Sequence, residues 1–359
     1  FQPPVDASGP FGYLAEGART NIQIRSNDLA NVVGSVWTPT RCTVSANYGT
    51  APDGTKTSFL ITSNDASETS LSGGTRTVTS AADQVASWYV RESTSGWCHV
   101  LCWDVVANGA RQWFDLTNGV VGVATAFGAG FASEAATIEK TSNGWWRISV
   151  RFSNPATSVR ARISPSDGDG DTNSAVSDVL EVWGPQLESG VQFPSSYIAT
   201  AAAAVTRNAD VLTAPAAGFN TFPMTMSADV ILDHTTPANT YLLSLDDGTT
   251  SNRVNFIITS TDKSRVFTAS GGVTYADITG APSYIEGAAF SVASAIATND
   301  VELYVDGAPT GTPDTSATVP VGVTRLTVGG LGGGSIQPYA SIRNVKIFDE
   351  RLTDAEVAD

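Results

Sequence analysis

The chain has 359 residues, of which 42% are hydrophobic and 15% charged, and its formal net charge is −15. This length exceeds what one hydrophobic core usually serves, and the apolar content excludes an intrinsically disordered chain. Dividing the chain before Val205 leaves 12 basic and 18 acidic residues in the first part, and 8 and 17 in the second. Both parts are acidic, at −6 and −9, so neither offers the basic surface that a nucleic acid or an anionic membrane requires.

The cysteine pattern predicts free thiols. The chain has only three cysteines, Cys42, Cys98 and Cys102. A small and odd number of cysteines does not fit a disulfide scaffold. In an extended strand Cys98 and Cys102 would point to one face about 13 Å apart, which is too far for a bond. Buried thiols folding in a reducing cytoplasm are therefore expected. No apolar run approaches the roughly 20 residues of a membrane span, so membrane insertion is not expected.

The tryptophans divide the chain into two parts. All eight lie between Trp37 and Trp183, and the segment 199–204 reads ATAAAA. We interpret this segment as a connector between a first domain, residues 1–204, and a second domain, residues 205–359.

Strand signals are frequent in the first part, for example in residues 87–91 and 98–106. Residues 137–152 predict a hairpin with Asn143-Gly144 at its turn, the pair that best tolerates positive φ. Its second arm alternates, so Trp146, Ile148, Val150 and Phe152 share a core-like face. The opposite, outer face of that arm carries Trp145, Arg147, Ser149 and Arg151.

The second part has the same character. Residues 225–233 alternate, with Met226, Ala228, Val230 and Leu232 predicted to face the core. In residues 300–306 we expect Glu302 and Tyr304 to face outward, before a turn at Asp306-Gly307. Near the end, Thr353-x-x-Glu356 predicts a helix start with a capping box. The fold class expected is all-β, with two tandem β-sandwich (jelly-roll) domains.

Two motif groups at the ends of the first part resemble a known module. They are GYLAEGARTNIQIRSNDL at 12–29 and WGPQLESGVQFPSSYIATAAAAVTRNADV at 183–211, with GWWRISV at 144–150 between them. Together they resemble a β-sandwich found in fibre and structural proteins of tailed phages and phage-like particles. The resemblance spans most of residues 11–211.

The second part carries VELYVDG at 301–307 and SIRNVKIFDERLTDAEV at 341–357. These strings resemble concanavalin A-like, laminin-G-like lectin and glucanase domains, which implies a concanavalin A-like second domain. Fold alone does not fix a ligand in such a family.

The two resemblances together imply a function. They imply a receptor-binding fibre or spike on a virion or gene-transfer particle, with a host cell-surface polysaccharide and other particle proteins as partners. Because weak sugar contacts add through avidity, a homo-oligomer, specifically a homotrimer, is expected.

Sugar recognition calls for an aromatic face ringed by planar polar groups. Trp145 is attractive because it alternates with Arg147 and Arg151, whose guanidinium groups suit an acidic polysaccharide. The alternative is that the tryptophans fill the core. The predicted carbohydrate-binding residues are Trp97, Trp113, Trp145, Arg147, Arg151, Arg253, Asn255 and Tyr304, with Trp103 as a further aromatic candidate.

The segment 167–173 reads DGDGDTN and holds the densest group of oxygen ligands. Alternating acids and glycines could let Asp167, Asp169 and Asp171 converge on Ca²⁺. No glutamate occupies the twelfth position of an EF-hand loop, and the alternative is a solvated turn made of ordinary turn residues.

No sequence pattern predicts catalysis. His99 and His234 lie in different predicted domains, and no G-x-S-x-G elbow is present. Glycoside hydrolysis needs two carboxylates, and the second part lacks the E-x-D-x-x-E string of some concanavalin A-like glucanases. We therefore expect a binding protein rather than an enzyme. The alternatives are a structural decoration or connector of the particle and a polysaccharide depolymerase.

Overall fold

The computed structural model describes residues 12–358, apart from 32, 33, 35, 154, 235–237 and 333–335. Nearly all of its regular structure is β-strand, as predicted. The described chain folds as two compact units, one built on residues 19–207 and the other on residues 12–18 together with 208–358. None of the described helices has the length and apolar content needed to cross a membrane.

The strands of the chain alternate with short turns. Strand β1 (Tyr13–Ala15) belongs to the second unit and precedes the first. The first unit contains β2 (Arg19–Asn21), β3 (Trp37–Thr40), β4 (Cys42–Ala46), β5 (Phe59–Ser63), β6 (Ser70–Gly73), β7 (Arg76–Thr77), β8 (Asp83–Ser93), β9 (Trp97–Trp103), β10 (Gly109–Asp115), β11 (Val120–Phe127), β12 (Ala132–Lys140), β13 (Trp146–Ser153), β14 (Ser158–Ser166), β15 (Val179–Ser189) and β16 (Val205–Arg207).

The first unit is a sandwich of two antiparallel sheets. One sheet has the order β11-β10-β9-β14-β6-β3, with β7 also paired to β14, and the other has the order β12-β13-β8-β15-β5-β4. A separate pair joins β2 to β16. Alternate side chains from both sheets form one core that contains Trp37, Trp88, Phe114 and Phe152.

The predicted hairpin is confirmed. Strands β12 and β13 pair antiparallel, and Asn143 and Gly144 between them both have positive φ, at 58° and 76°. Ile148, Val150 and Phe152 lie in the core as expected. The three cysteines are free and buried, also as expected. Burial raises the pKa of the Cys42 thiol to about 11.

The second unit continues with eleven further strands and one described helix. They are β17 (Leu212–Pro215), β18 (Met224–Leu232), β19 (Thr240–Asp246), β20 (Arg253–Ile258), β21 (Ser264–Ser270), β22 (Val273–Thr279), β23 (Ala289–Ala297), β24 (Asp300–Val305), β25 (Ala308–Asp314), β26 (Arg325–Val328), β27 (Ala340–Phe348) and α1 (Asp354–Ala358).

Two six-stranded antiparallel sheets form this second sandwich. Their orders are β1-β27-β18-β23-β24-β25 and β17-β26-β19-β20-β21-β22. The core includes Met226, Ala228, Val230 and Leu232, which confirms the predicted inward face of β18. The capping box is present as well, because the Thr353 N–H donates to Glu356 Oε2 at 2.8 Å and the Glu356 N–H donates to Thr353 Oγ1 at 3.4 Å.

The second unit is discontinuous in sequence. Strand β1 pairs with β27 at the edge of its sheet, and Ala15 is fully buried. Gly329 has a φ of 68°, and a Cβ there would lie 2.3 Å from the Ala15 Cβ, so only glycine lets β1 approach.

The structural division differs from the predicted one at residues 204/205 in two respects. Residues 205–207 pair with β2 and belong to the first unit, and residues 12–18 belong to the second. A three-residue edge strand carries too little periodicity to be assigned to a distant sheet from sequence.

Strand β1 is therefore predicted to stabilise the second unit selectively. Ala15→Asp would place a carboxylate in a buried apolar position and lower the unfolding temperature of the second unit by roughly 5–10 °C. All eight tryptophans lie between residues 37 and 183, so their fluorescence reports only the first unit. Calorimetry should show the shift while tryptophan fluorescence does not. An equal shift of the fluorescence transition would contradict this assignment.

Candidate functional site

In the second unit, the outer side of one sheet carries a group of polar side chains. On β20, Val254 and Phe256 point into the core, so Arg253 and Asn255 point to the opposite side. Strand pairing places Thr327, Ser244, Asn255, Phe267 and Asp277 in one row across five strands. A neighbouring row contains Arg325, Asp246 and Arg253. We call these residues, with Arg265, the polar face.

Ion pairs hold both carboxylates of the polar face. Arg325 Nη2 lies 2.7 Å from Asp246 Oδ1, and Asp246 is 1% exposed. Arg265 forms a two-pronged pair with Asp277, at 2.5 and 2.6 Å. Such bidentate pairs fix the orientation of the guanidinium plane.

An aromatic ring lies among these charges. The guanidinium carbons of Arg253 and Arg265 lie 5.0 and 5.5 Å from the centre of the Phe267 ring, and the ring is partly exposed. Arginine at these distances is attracted to the ring face. The polar face thus combines an aromatic ring with planar hydrogen-bonding groups.

Some hydrogen-bonding capacity of the polar face is unused. Asn255 Oδ1 accepts a bond from the Ser244 hydroxyl at 2.8 Å, but among the described residues Asn255 Nδ2 has no partner. Thr327 Oγ1 also has none, and the two residues are 1% and 0% exposed. An unpaired buried polar group costs about 1–3 kcal/mol, but both side chains lie beneath the surface, so the part of the polar face that a ligand can reach is formed by Phe267 and the arginines.

A second polar group lies on the outer side of a sheet in the first unit. Strand pairing sets Arg160 beside Trp103, and Gly109 separates Trp103 from Phe127. Two residues further along these strands, on the same side of the sheet, Arg162 and Arg111 flank Leu101. We call the group of Trp103, Arg111, Phe127, Arg160 and Arg162 the arginine face.

Glu68 is the acidic partner of the arginine face. Its Oε1 lies 3.1 Å from Arg111 Nη2 and 3.6 Å from His99 Nε2, and it also contacts Arg162. Burial alone would raise the pKa of Glu68, but the interactions with His99, Arg162 and Arg111 outweigh it and lower the pKa to about 2. Burial lowers the pKa of His99, so this histidine is neutral at pH 7.

Trp145, which directly precedes β13, and Arg147 on that strand are both covered by other parts of the chain. Trp145 is fully buried, its Nε1 donates to Thr50 O at 3.0 Å, and it packs with Tyr89 and Trp183. Arg147 is 8% exposed and its guanidinium contacts the carbonyl of Ser195. The expectation that they face a ligand is corrected, because chain segments around residues 50 and 195 pack over this sheet.

Arg151 lies at the open end of the same strand. Its Nη1 is 3.8 Å from Asp83 Oδ2, and about a quarter of its side chain is exposed. Because Trp145 is buried, it does not form an exposed surface together with Arg151, which corrects that part of the prediction.

Two other predicted tryptophans lie under the Asp-Gly segment. Trp113 is 1% exposed, and its Nε1 donates to Asp171 O at 2.6 Å. Trp97 is half-buried, and Gly122 lies between its ring and Asp169. Trp113 therefore offers no free face, which corrects its prediction, and only Trp97 retains exposed surface.

Tyr304 faces outward from its strand, as predicted, yet it is fully buried. It packs with Val357 of helix α1, and its hydroxyl lies 3.0 Å from Glu302 Oε2 and 2.9 Å from Asp354 Oδ1. Burial is the main cause that raises its pKa. Tyr304 fixes the C-terminal helix and offers no surface to a ligand, which corrects its prediction, whereas Arg253 and Asn255 both belong to the polar face.

The three aspartates proposed as calcium ligands do not converge. Asp167 Oδ1 accepts from the Ala175 N–H, Asp169 Oδ1 from Val123, and Asp171 Oδ1 from Asn173. Among the residues that the structure describes, no three acidic, histidine or cysteine side chains come close enough to hold a metal ion. The three carboxylates therefore accept hydrogen bonds from separate backbone N–H groups, and the segment does not fit a calcium site.

The motifs that carry the phage-type resemblance form a buried hydrogen-bond network. Asn21 is fully buried, donates to Pro185 O and Ile198 O, and accepts from the Leu187 N–H. Glu188 is 1% exposed and accepts three hydrogen bonds from Gln186 and Ser195. These residues stabilise the first unit and contribute nothing to the polar or arginine face.

Several residues of the two faces were not predicted from sequence. Phe267 and Arg265 alternate with Val266 on β21, and that alternation was an available signal. Glu68, in contrast, lies between β5 and β6 and meets Arg111 and Arg162 only through folding.

Comparisons with known proteins agree with the fold. Residues 206–358 match the sequence profile of the Laminin_G_3 family, the Concanavalin A-like lectin/glucanases superfamily. The second unit is a concanavalin A-like, laminin-G-like domain, as predicted. No sequence among the curated proteins matches the chain.

Solved structures show partial likeness. A SAP-like pentraxin from Limulus polyphemus is 15% identical, with a TM-score of 0.29, over 38% of this chain and 67% of the pentraxin. The Trypanosoma rangeli sialidase is 20% identical (TM-score 0.31), and the match covers 38% of this chain but only 22% of the sialidase. The CBM40 of the Ruminococcus gnavus IT-sialidase, solved with α2,3-sialyllactose, is 19% identical (TM-score 0.32) over 38% of this chain and 80% of the CBM40.

Glu68 is predicted to make the stability of the first unit pH-dependent. Its lowered pKa means that its contribution, on the order of 2–3 kcal/mol, is complete above its ordinary pKa of 4.5 and is lost as pH falls to about 2. Glu68→Gln should therefore destabilise the protein at pH 7 and much less near pH 2, as measured by urea unfolding with tryptophan fluorescence. Exposed Glu139→Gln is the control, and a constant Glu68→Gln deficit from pH 7 to 2 would contradict the prediction.

Proposed function

We propose that this protein is a surface fibre or spike protein of a virion or phage-like particle that binds a host cell-surface polysaccharide without cleaving it. The concanavalin A-like domain and the phage-type motifs at 12–29 and 183–211 support this proposal. The protein would act outside the cell after assembly on a particle, in contact with other particle proteins.

One observation carries the binding role. The Phe267 ring is partly exposed, and the guanidinium carbons of Arg253 and Arg265 lie 5.0 and 5.5 Å from its centre. A sugar ring stacks its C–H groups on an aromatic face, while its hydroxyls bond to planar amide and guanidinium groups. The polar face provides both features on rigid strands.

The state of the carboxylates supports binding rather than hydrolysis. Glycoside hydrolysis requires one carboxylic acid to give a proton and a second carboxylate to act opposite it. On the polar face Asp246 is paired with Arg325, and Asp277 is paired with Arg265. Both carboxylates are thus held by arginines of the same face, which leaves neither of them free to act on a glycosidic bond.

Polysaccharide binding is predicted to depend on the polar face. In the full chain, Phe267→Ala should weaken binding to the recognised member of a panel of purified bacterial capsular and O-antigen polysaccharides at least tenfold, about 1.4 kcal/mol. Lys346→Gln, an exposed change on the other sheet of the same unit, should leave binding unchanged. Absence of binding to every polysaccharide, or release of new reducing ends or unsaturated sugars, would contradict the proposal.

We also propose a homotrimer. Several weak sugar contacts made by one particle protein add through avidity, and an oligomer provides them. Light scattering coupled to size-exclusion chromatography should give about three times the chain mass of 37.3 kDa. A concentration-independent mass of one chain would contradict this assembly.

A further inference from the structure

The charges of the polar face do not balance. The face carries three arginines, Arg253, Arg265 and Arg325, but only two carboxylates, Asp246 and Asp277. Arg325 is paired with Asp246 at 2.7 Å, and Arg265 is paired with Asp277 at 2.5 and 2.6 Å. One positive charge is therefore left over, on a chain whose formal net charge is −15.

The arginine that is left over is Arg253. Strand pairing sets it directly opposite Asp246, yet it forms no ion pair with any residue that the structure describes. Asp246 is 1% exposed, and its two oxygens accept from Arg325 and from the Ser244 hydroxyl. The Arg253 side chain itself is partly exposed, so its charge is open to a ligand.

A further acid close by in the sequence does not neutralise Arg253. Asp247 lies in the turn between β19 and β20, and its carboxylate accepts bonds from Thr249 and Asn252 of the same turn. Three hydrogen bonds from these two residues hold the carboxylate inside the turn. The positive charge of Arg253 thus has no acidic partner within the polar face or in this turn.

The Phe267 ring positions Arg253. The guanidinium carbon lies 5.0 Å from the centre of the ring, a distance at which a cation is attracted to the ring face. An aromatic face is no conventional hydrogen-bond acceptor, so this contact orients the guanidinium without using its terminal N–H groups. A guanidinium oriented in advance loses less conformational entropy when it binds a ligand.

A carboxylate is the ligand group that matches one unpaired guanidinium. It is planar, carries a single negative charge and can accept two parallel hydrogen bonds from the same arginine. A uronic acid carries its carboxylate on the sugar ring. A ring that stacks on Phe267 therefore brings this group to Arg253, which lies over the same aromatic face.

We propose that the polysaccharide bound at the polar face is an acidic one, and that Arg253 selects it by pairing with the carboxylate of a uronic acid stacked on Phe267. This inference rests on the proposed function, because it takes the polar face to be the polysaccharide site. Arg265 and Arg325, held by their own aspartates, donate to sugar oxygens but add no unbalanced charge.

The test compares native and carboxyl-reduced forms of the same polymers. Polygalacturonate and alginate are immobilised as such and after conversion of their carboxylates to primary alcohols, and dextran sulfate serves as a polyanion without carboxylates. Biolayer interferometry measures binding of the full chain at pH 7 in 50 and 300 mM NaCl. At 50 mM we expect a native polymer to bind at least tenfold more tightly than its reduced form or dextran sulfate, with a smaller ratio at 300 mM because salt screens the ion pair.

Two variants change the charge of the polar face in opposite directions. Arg253→Gln removes the unpaired charge, so it should lower the affinity for the native polymer at least tenfold and abolish the preference over the reduced form. Asp277→Asn releases Arg265 from its ion pair and should raise the affinity for the native polymer at least threefold. Asp277 is exposed, so this second variant tests the proposal without disturbing the core.

Lys346→Gln is the matched control for charge. It removes one exposed positive charge from the other sheet of the same unit and should leave the affinities for both forms of the polymer unchanged.

The outcomes distinguish the inference from the proposed function. The inference is overturned if native and reduced polymers bind equally, if dextran sulfate binds as tightly as the native polymer, or if neither native polymer binds. It is also overturned if Arg253→Gln binds like the wild type or Asp277→Asn does not bind more tightly. In each case the proposed function still stands if a polysaccharide of the bacterial panel binds and Phe267→Ala weakens it.

Discussion

The pairing of Arg19–Asn21 with Val205–Arg207 is the constraint on which the organisation of this chain depends. It brings the two ends of the first unit side by side, so the residues before and after it can belong to one sandwich. The buried Asn21 side chain secures this closure by bonding to the backbone at Pro185, Leu187 and Ile198. A buried amide with all these partners rigidifies the region, and losing them would leave several polar groups unsatisfied.

This closure explains why the phage-type motifs are concentrated at the ends of the first unit. The motif residues Asn21, Gln186 and Glu188 are buried, and their side chains form hydrogen bonds with other residues of these motifs. These motif residues therefore help to close the β-sandwich of the first unit. The polar face lies elsewhere, on the outer side of a sheet, where strands hold side chains more rigidly than loops do.

Strand periodicity could predict which way a side chain points but not whether it meets solvent. Alternation correctly set Tyr304 on the outer side of its strand, and correctly set Met226 and Val230 inside. Trp145 is nevertheless covered by the segment around Thr50, and Tyr304 by helix α1. Such covering comes from segments distant in sequence, and the Glu68 cluster escaped prediction for the same reason. Local turn and cap signals needed no distant partner and were therefore predictable.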